Sequence, residues 1–138
     1  MDRLVEGDDA LVVRTDFSDE RTWEAVRAEV SAPVGALGFT ANVTFVDDRR
    51  YEGATKEQVA GLVGPTRSFV MIADRETMTA PHHPLLVLDL LEEPGGEFRA
   101  ASRTIHAVEN NMSLGNMDFE DFVSAVDDDG VFRDFRDP

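Results

Sequence analysis

At 138 residues, with 42% hydrophobic and 30% charged, the chain has the balance of a globular protein, and its length fits a single domain, 1–138, with a buried core. It contains no cysteine, which excludes disulfides, thiolate metal sites and a cysteine nucleophile and agrees with a reducing compartment. Twenty-eight acidic residues against 13 basic ones give a net charge of −15, which disfavours nucleic acid and anionic membranes as partners.

Met1 to Asp9 carries Glu6, Asp8 and Asp9 and has no apolar run behind a basic start, so it does not read as a signal peptide. Ala10 to Phe17, ALVVRTDF, is a β-branched run and reads as a first strand. Ser18 follows as the expected N-cap of a helix whose first turn holds Asp19 and Glu20, where the dipole favours acid. Trp23, Val26 and Val30 recur on one face, and Pro33 and Gly35 end the helix. Phe39 to Asp48 alternates apolar Ala41, Val43 and Phe45 with polar Asn42 and Thr44, the period of a half-buried strand. Thr55 and Gln58 then make a capping box for a short helix with Val59, Leu62 and Val63 inward, closed by Gly64-Pro65.

Phe69 to Asp74 is apolar until its last residue, as strands in a sheet interior are. A turn-rich stretch, Thr77 to Pro84, precedes a strand from Leu85 to Leu91, and a turn over 92–96 returns the chain through Glu97 to Ser102, making a hairpin. Ile105 to Asn111 reads as a further strand candidate, followed by a loop through Gly115. A helix from Met117 to Val126 then sets Phe119, Phe122, Val123 and Val126 in one stripe, with Gly130 as its cap. Val131, Phe132 and Phe135 suggest a tail that packs back, with Arg133 and Arg136 neutralising nearby acid. The order β-α-β-α-β-β-β-α predicts a single-domain α/β fold: a mixed sheet covered by helices, its first three strands parallel and its hairpin antiparallel. The apolar runs are far shorter than the ~20 residues that span a bilayer, and the expected location is the cytoplasm.

Each of the first three strands ends in aspartate: Asp16, the pair Asp47-Asp48, and Asp74. In a parallel sheet these ends share one edge, where open α/β folds bind ligands. Carboxylates gathered there can hold magnesium, and receiver-like or phosphatase-like chemistry would follow. Aspartate also favours strand ends and helix starts for local hydrogen bonding alone, and neither a lysine-bearing strand nor a phosphate-cradling glycine loop accompanies the set. Turn and cap service is the stronger expectation.

A second polar group, Asn110, Asn111 and Asn116 beside Glu109 and Ser113, can orient a polar ligand through amide donors and acceptors, or can simply cap and turn the chain. His82 and His83, adjacent between Pro81 and Pro84, point opposite ways on extended backbone and are read as loop residues. His106 is a general-base candidate with no serine or acid placed beside it by sequence. Asp127-Asp128-Asp129-Gly130 is not a calcium loop: with Gly130 sixth, Ala125 and Arg136 fall where acids are required.

The phrases VVRTDFSDE near Val12, FVDDRRYEG near Asp47, HPLLVLDL at His83, VENNMSLGNMDFEDFV at Val108 and DDDGVFRDF at Asp128 resemble a family of short, acidic, functionally uncharacterised proteins found largely in actinobacteria. The resemblance covers most of the chain. It implies a cytoplasmic bacterial protein with a compact α/β fold and carries no site residue across.

Three functional expectations follow. The first is a non-enzymatic protein-binding module, inhibitor- or immunity-like, whose acid steers a basic protein partner; acid of this kind also serves solubility. The second is a magnesium-dependent enzyme or phosphoacceptor using Asp16, Asp47, Asp48 and Asp74. The third is a small-molecule sensor built around Asn110, Asn111 and Asn116. No cofactor other than magnesium is implied.

Overall fold

Every residue of Ala10–Arg14 is buried, and this run forms β1, an interior strand of a six-stranded sheet. The computed structural model describes residues 9–33, 38, 40–63, 67–91, 96–115 and 117–133. The other strands are β2 (Val43–Val46), β3 (Phe69–Ala73), β4 (Leu85–Asp89), β5 (Glu97–Ala100) and β6 (Val131–Phe132), in the order β2-β1-β3-β4-β5-β6. β1 is parallel to both β2 and β3, with Val12 opposite Phe45 on one side and Met71 on the other. β4 runs antiparallel between β3 and β5, and β6 closes the order parallel to β5. The mixed α/β sheet, its parallel first three strands and the antiparallel hairpin are as the sequence predicts.

Helices α1 (Glu20–Ser31), α2 (Lys56–Leu62), α3 (Arg75–Thr79), α4 (Ile105–Ser113) and α5 (Phe119–Val123) surround the sheet. β1 connects to β2 through α1, and β2 returns past β1 to β3 through α2. Crossovers of one hand that travel in opposite directions must lie on opposite faces, and α1 and α2 do. Trp23, Val26 and Val30 of α1 pack with Val12, Met71, Val87 and Phe98 on the first face, joined by Ile105 and Val108 of α4 and Phe122 of α5. Phe122 stacks on Phe98 at 5.7 Å between ring centroids and meets Phe132 edge-on at 5.2 Å. Leu11, Val13, Val70, Ile72, Leu86 and Leu88 point to the second face, which receives Val59, Leu62 and the partly buried Ala60 of α2, together with Tyr51, Ala54 and Val63. No helix among the described residues is long and apolar enough to cross a membrane.

Several local expectations need correction. Asp19, not Ser18, caps α1: its carboxylate accepts from the Thr22 N–H at 3.2 Å, while the Ser18 N–H donates to Asp16. β2 is confined to Val43–Val46 within the longer run expected, and Phe39 lies outside the described residues. The Thr55–Gln58 capping box is present with both of its hydrogen bonds. The turn-rich stretch after β3 opens with the helix α3, capped by Asp74. Residues 105–113 are the helix α4, not a strand, because Ile105, Val108 and Glu109 are buried at helical spacing. The last helix is shorter than expected. Gly130, at φ +81°, does not cap it but turns the chain after Asp127 into β6, a conformation glycine adopts without strain. The tail does pack back, as Val131 and Phe132 are buried. Gly35, Gly64-Pro65, Phe135 and Arg136 lie outside the described residues.

Candidate functional site at the carboxyl edge of the sheet

The strand-end aspartates all lie at one edge, but each has its own partner. β1 ends in Arg14, whose side chain is 1% exposed. Its Nη1 donates to Glu20 Oε1 and to Asp47 Oδ1, both at 3.1 Å, and its Nη2 donates to Glu20 Oε2 at 2.9 Å. Its Nε donates to the Asp16 carbonyl at 3.1 Å, and the rings of Phe17 and Trp23 flank the guanidinium at 4.2 and 5.1 Å. Burial works against the charge, yet the Glu20 and Asp47 carboxylates hold this arginine above its ordinary pKa. The hydrogen bond from Arg14 in turn holds Glu20 below its own. Asp47 also accepts from Trp23 Nε1 at 3.3 Å, so one carboxylate ties the end of β2 to both β1 and α1.

Asp16 accepts from the Ser18 N–H at 2.9 Å, a local turn bond. Asp48 accepts from the N–H and Nε of Arg50, each at 3.0 Å, capping a 3-10 turn over Arg49–Tyr51, and the backbone bond holds its carboxyl low. Asp74 receives both terminal nitrogens of Arg99, at 2.9 and 2.8 Å, as well as the Thr77 N–H at 3.2 Å. Burial would raise its pKa, but Arg99 and Thr77 prevail and hold it below the usual carboxylate range. Arg99 is completed by Glu76 at 2.8 Å and by the Pro84 carbonyl at 3.1 Å. Among the described residues no three His, Asp or Glu side chains come together to hold a metal ion. Asp16, Asp47, Asp48 and Asp74 thus share an edge while each keeps the separate partner described above.

Asn110 and Asn111 are at the other end of the molecule. They sit on α4, where Glu109 accepts from the Asn42 N–H at 2.6 Å just before β2, and where Met112 and Ser113 neighbour Asp9 and Ala10 at the start of β1. Asn111 donates to the Ala107 carbonyl at 2.9 Å, one turn back in its own helix. Asn116 lies outside the described residues. The two histidines of the β3–β4 connection both adopt positive φ, +68° at His82 and +47° at His83. His83 Nδ1 donates to the Thr77 carbonyl at 3.1 Å, whereas His82 Nδ1 accepts from Arg133 Nε at 2.9 Å, so the pair faces different partners. Arg133 also bridges Asp127 at 3.0 Å and Asp129 at 2.7 Å, the neutralisation expected of it.

An open cleft of about 330 Å3 lies beside this edge on the second face. Ile72 and Leu86 form its floor, Thr15 and Asp74 bring in the ends of β1 and β3, and Lys56 of α2 reaches across to pair with Glu97 of β5. Sequence reasoning found the aspartates but not the arginines that organise them. The available signal was an arginine ending the otherwise apolar strand ALVVR and another between apolar residues in EFRA.

Residues 9–135 match the profile of a family described as a domain of unknown function (DUF6924). Among curated proteins, no relative matches the chain.

Proposed function

We propose a function from the chain's own surface, because the chain belongs to the DUF6924 family, a domain of unknown function that offers no activity to inherit. The reading is a non-enzymatic binding module that meets a basic protein partner through an acidic face. One observation carries it: residues 105–132 contain seven acidic side chains and no lysine or arginine. Of these, Asp118, Glu120, Asp121, Asp128 and Asp129 are exposed around α5 and the turn into β6. That turn borders an open concavity of about 780 Å3 lined by Asp127, Asp128 and Asp129, with Arg133 beside them. Arg133 pairs with Asp127 and Asp129, so Asp118, Glu120, Asp121 and Asp128 carry the excess charge, and such an excess steers an oppositely charged partner and raises its association rate. The carboxylates of the sheet edge, each held by an arginine or a backbone N–H, favour a structural role there over catalysis.

The test is capture at low ionic strength by the intact chain and by a triple variant, Asp118→Asn, Glu120→Gln and Asp128→Asn, that keeps side-chain shape. Exposed charges are screened over about 10 Å at 0.1 M salt. A basic protein held at low salt, released as salt rises and not held by the variant is the expected result. Capture that is insensitive to salt, or equal for both proteins, overturns the reading.

A further inference from the structure

The geometry points to the cleft on the second face as a binding site for a small zwitterion of the amino-acid class, carrying one ammonium and one carboxylate on a compact apolar body. The cleft stands beside β1 and β3, the strands from which the chain winds in opposite directions, and open α/β sheets bind ligands in the crevice at that reversal. Its volume, about 330 Å3, is at the small end of ligand pockets.

The charges choose the ligand. Lys56 and Glu97 come from different elements and cross the cleft to each other, with side chains 44% and 45% exposed. Exposed pairs of this kind hold their partners weakly, so each is exchangeable. The inner group differs: Arg99 is already taken by Asp74, Glu76 and the Pro84 carbonyl. A lone anion entering the cleft would find Lys56 but would leave Glu97 without its cation, and a lone cation would do the reverse. A ligand with both charges gives a carboxylate to Lys56 and an ammonium to Glu97, so neither member of the pair loses its partner, and Glu57, which also lines the cleft, adds to the pull on the ammonium. Its apolar body then replaces the Lys56 and Glu97 stems over Ile72 and Leu86, which are only 2% and 5% exposed and over which no helix lies beyond α2 among the described residues.

The experiment titrates the full chain with each protein amino acid singly, following the backbone amides of Ala54, Ile72 and Leu86 by NMR at constant ionic strength. The expected result is saturable binding of at least one amino acid with a Kd of about 1 mM or tighter. Lys56→Met and Glu97→Gln should each weaken it by about tenfold or more, as loss of a charged hydrogen-bond partner does. The N-acetylated amino acid and the corresponding decarboxylated amine should fail to bind. Matching melting temperatures for wild type and variants would show that weakening is not misfolding. No saturable shift from any amino acid overturns the proposal, as does binding unchanged in both variants or shared by the N-acetylated form. Because the probe is a small molecule and the readout is local to the cleft, failure here is distinct from failure to capture a basic protein.

Discussion

The two faces of the sheet are closed by different materials. On the first, α1, α4 and α5 bring Trp23, Val26, Ile105, Val108 and Phe122 onto the strands, and aromatic rings meet across elements. On the second, one short helix and Tyr51 cover the β1 side, while the side toward β5 is bordered by Lys56, Glu97, Asp74 and Arg99. Leu86 and Leu88 are nonetheless only 5% and 8% exposed. Long charged side chains shield apolar surface with their stems while keeping their heads wet. A sheet can thus be dry on both sides while only one side is sealed by packing, and the other side can exchange its cover.

The sharpest test of that contrast is truncation in each face. Phe122 is fully buried and touches Phe98 and Phe132, so Phe122→Ala should cost about 4 kcal/mol of unfolding free energy by denaturant titration. Leu86→Ala on the second face should cost about 2 kcal/mol, the low end for such a change, because flexible stems can settle into the space. Equal losses at the two sites would show both faces to be packed alike.

The next effect lies at the boundary, where Asp74 joins the end of β3 to Arg99 of β5. Asp74→Asn keeps shape and removes the charge, with an expected loss of about 2 kcal/mol at neutral pH. The sign with pH follows from its depressed pKa, set by Arg99 against burial. A carboxyl lower in the folded than in the unfolded state contributes fully above the unfolded value, about 3.9, and loses that contribution as pH falls through the folded one. The stability gap between wild type and Asp74→Asn should therefore stay constant down to about pH 5 and close below about pH 4. A gap that widens with acid would mean that Asp74 is not held ionised by Arg99.

What sequence could reveal divides along similar lines. The Thr55–Gln58 box and the apolar stripes of α1 and β3 were legible because their signals are local and periodic. α4 was misread although Ile105, Val108 and Glu109 have helical spacing, because the buried member at the third position is a glutamate and reads as polar. α3 is five residues long with a cap and no repeat, and β6 is two residues defined by pairing with β5. The aspartates at the carboxyl edge were visible, but their meaning was not. Asp47 is 33 residues from Arg14 and Asp74 is 25 from Arg99, so which carboxylate an arginine claims depends on the strand order.

The smallest expected effect is the most discriminating one. Lys56 and Glu97 form the ion pair that spans the cleft, and Glu97 holds the lysine above its ordinary pKa. If the pair were structural, in the way Asp74–Arg99 is, Lys56→Met and Glu97→Gln would each lower the melting temperature. If it is an exchangeable cover over Ile72 and Leu86, either change should leave the melting temperature where it is, since exposed pairs are screened and hold their side chains loosely. Single variants alone can mislead, because a methionine in place of Lys56 adds apolar contact while removing charge. Raising the salt concentration on the wild type separates the two contributions: screening acts on the pair and not on the packing beneath it. A melting temperature that falls steeply with salt in the wild type, and not in Glu97→Gln, would move this pair into the structural class and would mean that the second face is sealed after all.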